Sequence, residues 1–250
     1  MKVLEYISKK IEKNPIHLTL LDPDKQTPQK AAEIALEALK GGTDGIMVGG
    51  SLGISQKILD DTVKKIKEVT SLPVILFPGD VSGISSKADA IFFMSLLNSR
   101  NPYFITGAQA LGAPLVKKLG IEPIPMGYIV VEPGGAVGKV GQANLISRED
   151  PEKASRYALA AQYLGMKLVY LEAGSGADEP IPVKMISKVK RTIDIPLIVG
   201  GGIKTGADAL KVARAGADII VTGTIVEKTS DVEGCIRDIT SSISKVHNKP

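Results

Sequence analysis

The chain has no tryptophan, one cysteine, two histidines and aromatic residues at only 4% of its 250 positions. A lone thiol excludes an internal disulfide and a thiolate metal cluster, and it fits the cytoplasm, the compartment expected here. Val232, Ile236 and Ile239 recur around Cys235 at helical spacing, so Cys235 reads as a small core residue rather than a nucleophile. Histidine is badly placed for catalysis: His17 lies low on a strand-like run and His247 near the C-terminus. No stretch approaches the roughly 18 uninterrupted apolar residues that cross a bilayer. Charge of one sign is also scarce. Thirty-one Lys and Arg against 27 Asp and Glu leave a formal charge of +4. That suits anionic small molecules and lacks the dense basic stripe of a nucleic-acid binder, so nucleic acid is not expected as a partner.

The start, MKVLEYISKKIEKN, carries neither a continuous apolar segment nor a small-residue cleavage pattern, which argues against a secretory leader. Val3, Leu4, Ile7 and Ile11 share one helical face among lysines. Such a basic amphipathic helix suits either an anionic membrane surface or one end of a globular fold, and the second is expected.

What is abundant is alternation. Eight short apolar runs punctuate the chain: IHLTLL (16–21), GIMVGG (45–50), PVILFPG (73–79), AIFFMSLL (90–97), GYIVVEPG (127–134), KLVYLEAG (167–174), IPLIVGGG (195–202) and DIIVTG (218–223). Helical patterns separate them. Residues 28–40 place Ala32, Ala35, Leu36 and Leu39 on one face before Gly41-Gly42, and Thr205 precedes a pattern over 206–215 that Gly216 ends. Near-continuous apolar strands divided by helices imply a parallel sheet. Eight such units in about 250 residues predict one (β/α)8 TIM-barrel domain over 1–250. Between the third and fourth runs lies only DVSGISSKAD (80–89), too short and too rich in glycine and serine for a crossover helix. The outer helix after the third strand is therefore expected to be missing.

In such a barrel the C-terminal strand ends carry the active site. Here they offer Asp22, the Gly49-Gly50-Ser51 turn, Glu132, Glu172, and glycine-rich loops at 174–176, 200–202 and 223. Glycine clusters are often plain turns, but three in the last three βα loops predict a backbone cradle for a phosphate, with Thr224 adding a hydroxyl. The two-residue period sends Val169 and Leu171 outward, and Leu168, Tyr170 and Glu172 inward. Glu172 then faces the mouth, either to accept a hydrogen bond from a hydroxyl of the bound ester or to fix geometry through an ion pair. Glu132 has the same claim on the fifth strand. Asp22 with the Ser51 hydroxyl is a hard-oxygen set suited to Mg2+, while Asp24 reads as a solvated turn residue. Residues 92–116 hold Phe92, Phe93, Tyr103 and Phe104 and no charge except Arg100. Beside the thin wall, this segment is placed to border a hydrocarbon groove.

Together HLTLLDPDK, DGIMVGGS, ILFPG, NSRNPYFI, GYIVVEPGG, YLEAGSGA, VGGGIKTG and VTGTIVE resemble the geranylgeranylglyceryl phosphate synthase family over nearly the whole chain. The resemblance implies a Mg2+-dependent prenyltransferase that joins geranylgeranyl diphosphate to sn-glycerol 1-phosphate in archaeal ether-lipid synthesis. It implies Mg2+ at Asp22 and Ser51, and glycerol phosphate held by Tyr170, Leu171, Glu172, Ala173, Gly174, Ser175, Gly176, Gly201, Gly202, Gly223 and Thr224. Catalytic roles are expected for Glu172 and Tyr170, and diphosphate contacts for Arg100 and Lys204. A homo-oligomer and a peripheral membrane contact for the lipid product are also expected. Bacterial relatives with a longer donor carry lysine where this chain has Leu20. A different prenyl length, a sugar-phosphate isomerase or epimerase on the same barrel, and a non-catalytic carrier remain alternatives.

Overall fold

The computed structural model describes residues 1–50 and 55–246. Eight parallel strands close into one barrel in sequence order: β1 (Ile16–Leu21), β2 (Gly45–Gly50), β3 (Val74–Pro78), β4 (Ala90–Leu96), β5 (Glu122–Val130), β6 (Leu168–Glu172), β7 (Leu197–Gly200) and β8 (Ile219–Thr222). Closure comes from β8 pairing with β1, which sets Thr19 opposite Thr222. The predicted strands all form. The fifth differs most, starting five residues before the run that predicted it: Pro123 and Pro125 fall on outward positions while Ile124 and Met126 fill the barrel.

Period-two alternation divides the core. Leu18, Met47, Ile75, Phe92, Tyr128, Tyr170 and Ile198 point inward and pack on one another. Helix α1 (Val3–Ile11) lies against the floor of this inner cluster through Val3, Ile7 and Ile11. Burying each such side chain stabilises the fold by about 2 kcal/mol. Glu122 at the start of β5 ties α1 in place, its Oε2 accepting the Val3 N–H at 2.6 Å. The amphipathic start is thus the cover of the barrel's N-terminal end.

Outward residues meet the helices α2 (Pro28–Lys40), α3 (Gln56–Val69), α4 (Ala108–Leu119), α6 (Pro151–Tyr163), α7 (Val183–Lys190), α8 (Gly206–Arg214), the short α9 (Thr224–Lys228) and α10 (Val232–Ile243), whereas Val137 of the short α5 (Gly135–Val140) packs on the inner cluster. Short polar side chains start many of them. Thr27, Ser55, Asp150 and Asp231 each accept an amide of the first turn, and Thr205 and Asp208 form a reciprocal capping box. On α2 the buried face centres on Ala31, Ile34, Ala35 and Ala38, so Leu36 and Leu39 flank it rather than define it. Cys235 is half-buried, beside the face formed by Val232, Ile236 and Ile239, and burial first of all raises its pKa and keeps it a thiol.

The gap after β3 is real. A single 3-10 turn, Val81–Gly83, stands there, with Asp80 accepting the Ser82 amide at 2.8 Å. After β4 the chain makes a π-turn, Tyr103–Gly107, that runs into α4. Among the described residues no helix is long and apolar enough to cross a membrane.

Candidate active site

Glu172 ends β6 facing inward and is 7% exposed. Its Oε1 accepts the Gly174 N–H at 2.6 Å and its Oε2 accepts the Tyr128 hydroxyl at 3.2 Å. Burial raises its pKa above the usual carboxylate range, opposed by the Gly174 amide and by the hydroxyls of Tyr170 and Tyr128. A proton acceptor of raised basicity is thus fixed at the barrel mouth. Gly201, at φ +83°, gives it room, because a methyl there would approach Oε1 to 2.6 Å.

The glycine loops converge beside it. Ser175 Oγ and Thr224 Oγ1 lie 2.9 Å apart, bringing the loop after β6 to the start of α9 after β8. Gly174 packs against the Gly134–Gly135 backbone, where an added methyl would come within 2.6 Å. Gly176, at φ +74°, faces open space. Gly202 serves the chain itself, since the volume of a methyl there is filled by the Glu179 carbonyl oxygen at 2.2 Å.

Leu171 and Ala173 send their side chains into the layer between barrel and helices, and the Ala173 amide and carbonyl are committed to Gly200 and Gly134. Strand alternation puts both side chains in the barrel wall. Tyr170 does point into the barrel, but it is fully buried and stacks on Phe77 with ring centres 5.7 Å apart. Its hydroxyl fills the space a side chain on Gly200 would take, and Gly200 is the β7 partner of Glu172. That hydroxyl thus reaches the level of Glu172, whose pKa it lowers. Glu132 loses its claim: β5 register pairs Val130 with Glu172, and Glu132 lies exposed two residues past the strand. Arg100 and Lys204 are both exposed, Lys204 with Asp178 at 3.8 Å. His17 is fully buried between Thr43 and Thr222, at 2.9 Å from each, and burial lowers its pKa to about 3. Tyr128 was missed, although its inward position on β5, level with Tyr170, was readable from alternation alone.

Across the mouth, Asp22 follows β1. Its Oδ2 accepts from Lys25 at 2.7 Å, and Oδ1 faces Gly49, where a methyl would approach to 2.2 Å. One carboxylate oxygen left free of Lys25 on the cavity wall is chemistry that suits Mg2+, which keeps waters and shares its sites with substrate. Among the described residues no group of three or more acidic, cysteine or histidine side chains is placed to hold a metal. Ser51, the other expected ligand, and His247 lie outside the described residues. Asp24 is exposed on the turn, as expected.

A cavity of about 530 Å³ starts between Asp22, Glu172 and Ser175 and runs under the gap after β3. Its lining is largely apolar, with Phe77, Val81, Ile84, Phe93, Met94 and Val137 among it. The volume lies in the range of small-molecule sites. Such a mouth can hold a polar ester at one end and an extended hydrocarbon along the rest.

A closed (β/α)8 barrel with a buried carboxylate, glycine loops and an apolar channel at its C-terminal mouth defines a barrel enzyme acting on one polar and one greasy substrate. The model of the PcrB family matches residues 8–243, and the chain belongs to that family. It is 62% identical over 232 residues to the geranylgeranylglyceryl phosphate synthase of Pyrococcus horikoshii, covering 93% of this chain and 91% of that protein. Identity to the enzyme of the same name from Methanothermobacter marburgensis is 59% over 246 residues, 98% of this chain and 100% of the other. The solved structure of (S)-3-O-geranylgeranylglyceryl phosphate synthase from Thermoplasma acidophilum, in complex with sn-glycerol-1-phosphate, matches with a TM-score of 0.96 at 49% identity, covering 98% of this chain and 100% of that one.

Proposed function

We infer that this chain transfers the geranylgeranyl group of geranylgeranyl diphosphate to the C3 hydroxyl of sn-glycerol 1-phosphate, forming an ether and releasing diphosphate. The observation that carries the reading is the single cavity that runs from Glu172 and the glycine loops into an apolar channel under the missing helix.

The glycerol phosphate dianion is held by backbone amides of the loops around Ser175, Gly176, Gly201 and Gly223, with the Ser175 and Thr224 hydroxyls beside them. That grip leaves the glycerol hydroxyl toward Glu172. The allylic C1–O bond breaks, its electron pair leaving with diphosphate, and the hydroxyl oxygen forms the new bond to C1. Its proton passes to a Glu172 carboxylate oxygen, whose raised basicity favours acceptance. An allylic centre with carbocation character needs little nucleophile activation, so orientation by the cradle and exclusion of water by Phe77, Phe93 and Met94 supply most of the help. Mg2+, when bound with Asp22 as its protein ligand, supplies charge neutralisation of the departing diphosphate. The isomerase alternative requires a second acid–base group at the mouth, and His17 is buried behind the strand instead.

The test is mass spectrometry of products from a mixture of prenyl diphosphates with each enantiomer of glycerol phosphate. The reading expects one dominant C20 ether from the sn-1 enantiomer. Binding of both substrates without diphosphate release would support a carrier and contradict it.

A further inference from the structure

Lys25 sits between two carboxylates that are far apart in sequence. Its Nζ lies 2.7 Å from Asp22 Oδ2, and 3.1 Å and 3.0 Å from the two oxygens of Glu227 on α9. The turn after β1 aims it there: the Lys25 amide donates to the Asp22 carbonyl at 3.0 Å, which folds the side chain back over the aspartate. Glu227 is only partly exposed, and burial with the nearby Asp22 and Asp24 charges raises its pKa against the pull of Lys25.

We propose that Lys25 is the resident counter-cation of Asp22, displaced by the incoming divalent ion and retained on Glu227. This rests on the reading of Asp22 as the Mg2+ ligand. An ammonium and a divalent cation repel each other strongly when both hold one carboxylate, so an ion arriving at the open Oδ1 drives Lys25 away from Oδ2. Glu227 already touches the ammonium with both oxygens, so displacement leaves Lys25 with a partner. Glu227 thereby determines how costly the exchange is. Lys25 opposes metal entry, and Glu227 favours it by holding Lys25 aside. Once displaced, the ammonium stays at the mouth as a fixed positive charge beside the departing diphosphate.

The test is Mn2+ binding to metal-stripped protein, followed by the paramagnetic resonance signal of the free ion. The wild type is expected to bind one ion at a site that Asp22→Asn abolishes. Lys25→Met should tighten that site about fivefold and Glu227→Gln weaken it about fivefold, the scale of a partly exposed ion pair. In the Lys25→Met background, Glu227→Gln should have no further effect, because Glu227 acts through Lys25. Opposite shifts from two neighbouring substitutions cannot come from partial unfolding, and Lys25→Gln repeats the first arm with a polar side chain. Equal affinities, shifts of one sign, or a Glu227→Gln weakening that persists without Lys25 would overturn the proposal while leaving the Asp22 site intact. Absence of any Asp22-dependent site in the wild type would instead overturn the metal reading, and this proposal with it.

Discussion

Tyr128 on β5 donates its hydroxyl to Glu172 Oε2 on β6 across 3.2 Å, so the carboxylate at the mouth is held by a side chain of the neighbouring strand. Register explains it: Tyr128 stands opposite Tyr170, one inward position below Glu172. That bond lowers the Glu172 pKa against the effect of burial. Tyr128→Phe should therefore raise it, moving the acidic limb of kcat/KM against pH to higher pH and lowering turnover at neutral pH by about tenfold. An unmoved limb would make Tyr128 a packing residue only.

Gly201→Ala should injure the same carboxylate from the other side. The methyl would meet Oε1 at 2.6 Å on a backbone at φ +83°, where L side chains are strained. Expected are a loss of about 1–3 kcal/mol of stability in urea denaturation and a fall in kcat. Unchanged stability and kcat would mean that the loop adapts.

His17 predicts an acid sensitivity away from the site. The native imidazole stays neutral down to about pH 3, whereas the unfolded chain takes up a proton near the ordinary histidine value of 6.5. A folded pKa below the unfolded one contributes stability that is complete above 6.5 and is lost as pH falls toward 3, at about 1.4 kcal/mol per pH unit. His17→Asn should remove that slope in denaturation curves between pH 4 and 6, while costing stability at neutral pH by disturbing the pairing with Thr43 and Thr222. Parallel slopes for the two proteins would contradict the assignment.

The channel under the gap after β3 predicts a change in donor preference. Ala108 lines it from α4, and Ala108→Phe would put an aromatic ring into it. With C10 and C20 diphosphates in competition, the product ratio should move toward the shorter donor by about tenfold. An unchanged ratio would place the hydrocarbon elsewhere.

Much of this was legible in the sequence because barrels repeat a local code. Period-two alternation put Tyr170 and Glu172 inside and Leu171 outside, and DVSGISSKAD was too short for a helix. Thr205 and Gly216 framed α8 by capping chemistry that involves only near neighbours. What escaped depends on register or on long-range contact. Glu132 looked equivalent to Glu172 because both close an apolar run, yet β5 pairs two residues earlier. The ion pair between Lys25 and Glu227 spans 202 residues, and no periodicity announces it. Tyr170 faced the right way, but its depth in the barrel depends on the stacking against Phe77 from β3.

The central claim is that Glu172, made more basic by burial, receives the proton of the glycerol hydroxyl. The pH dependence of kcat/KM in the wild type and in Glu172→Gln tests it most directly. The wild type should lose activity on the acid side through one proton, with an apparent pKa above the usual carboxylate value. Glu172→Gln should show no such limb and a turnover lower by roughly two to four powers of ten. Near-normal turnover in Glu172→Gln with the same acid limb would contradict the account.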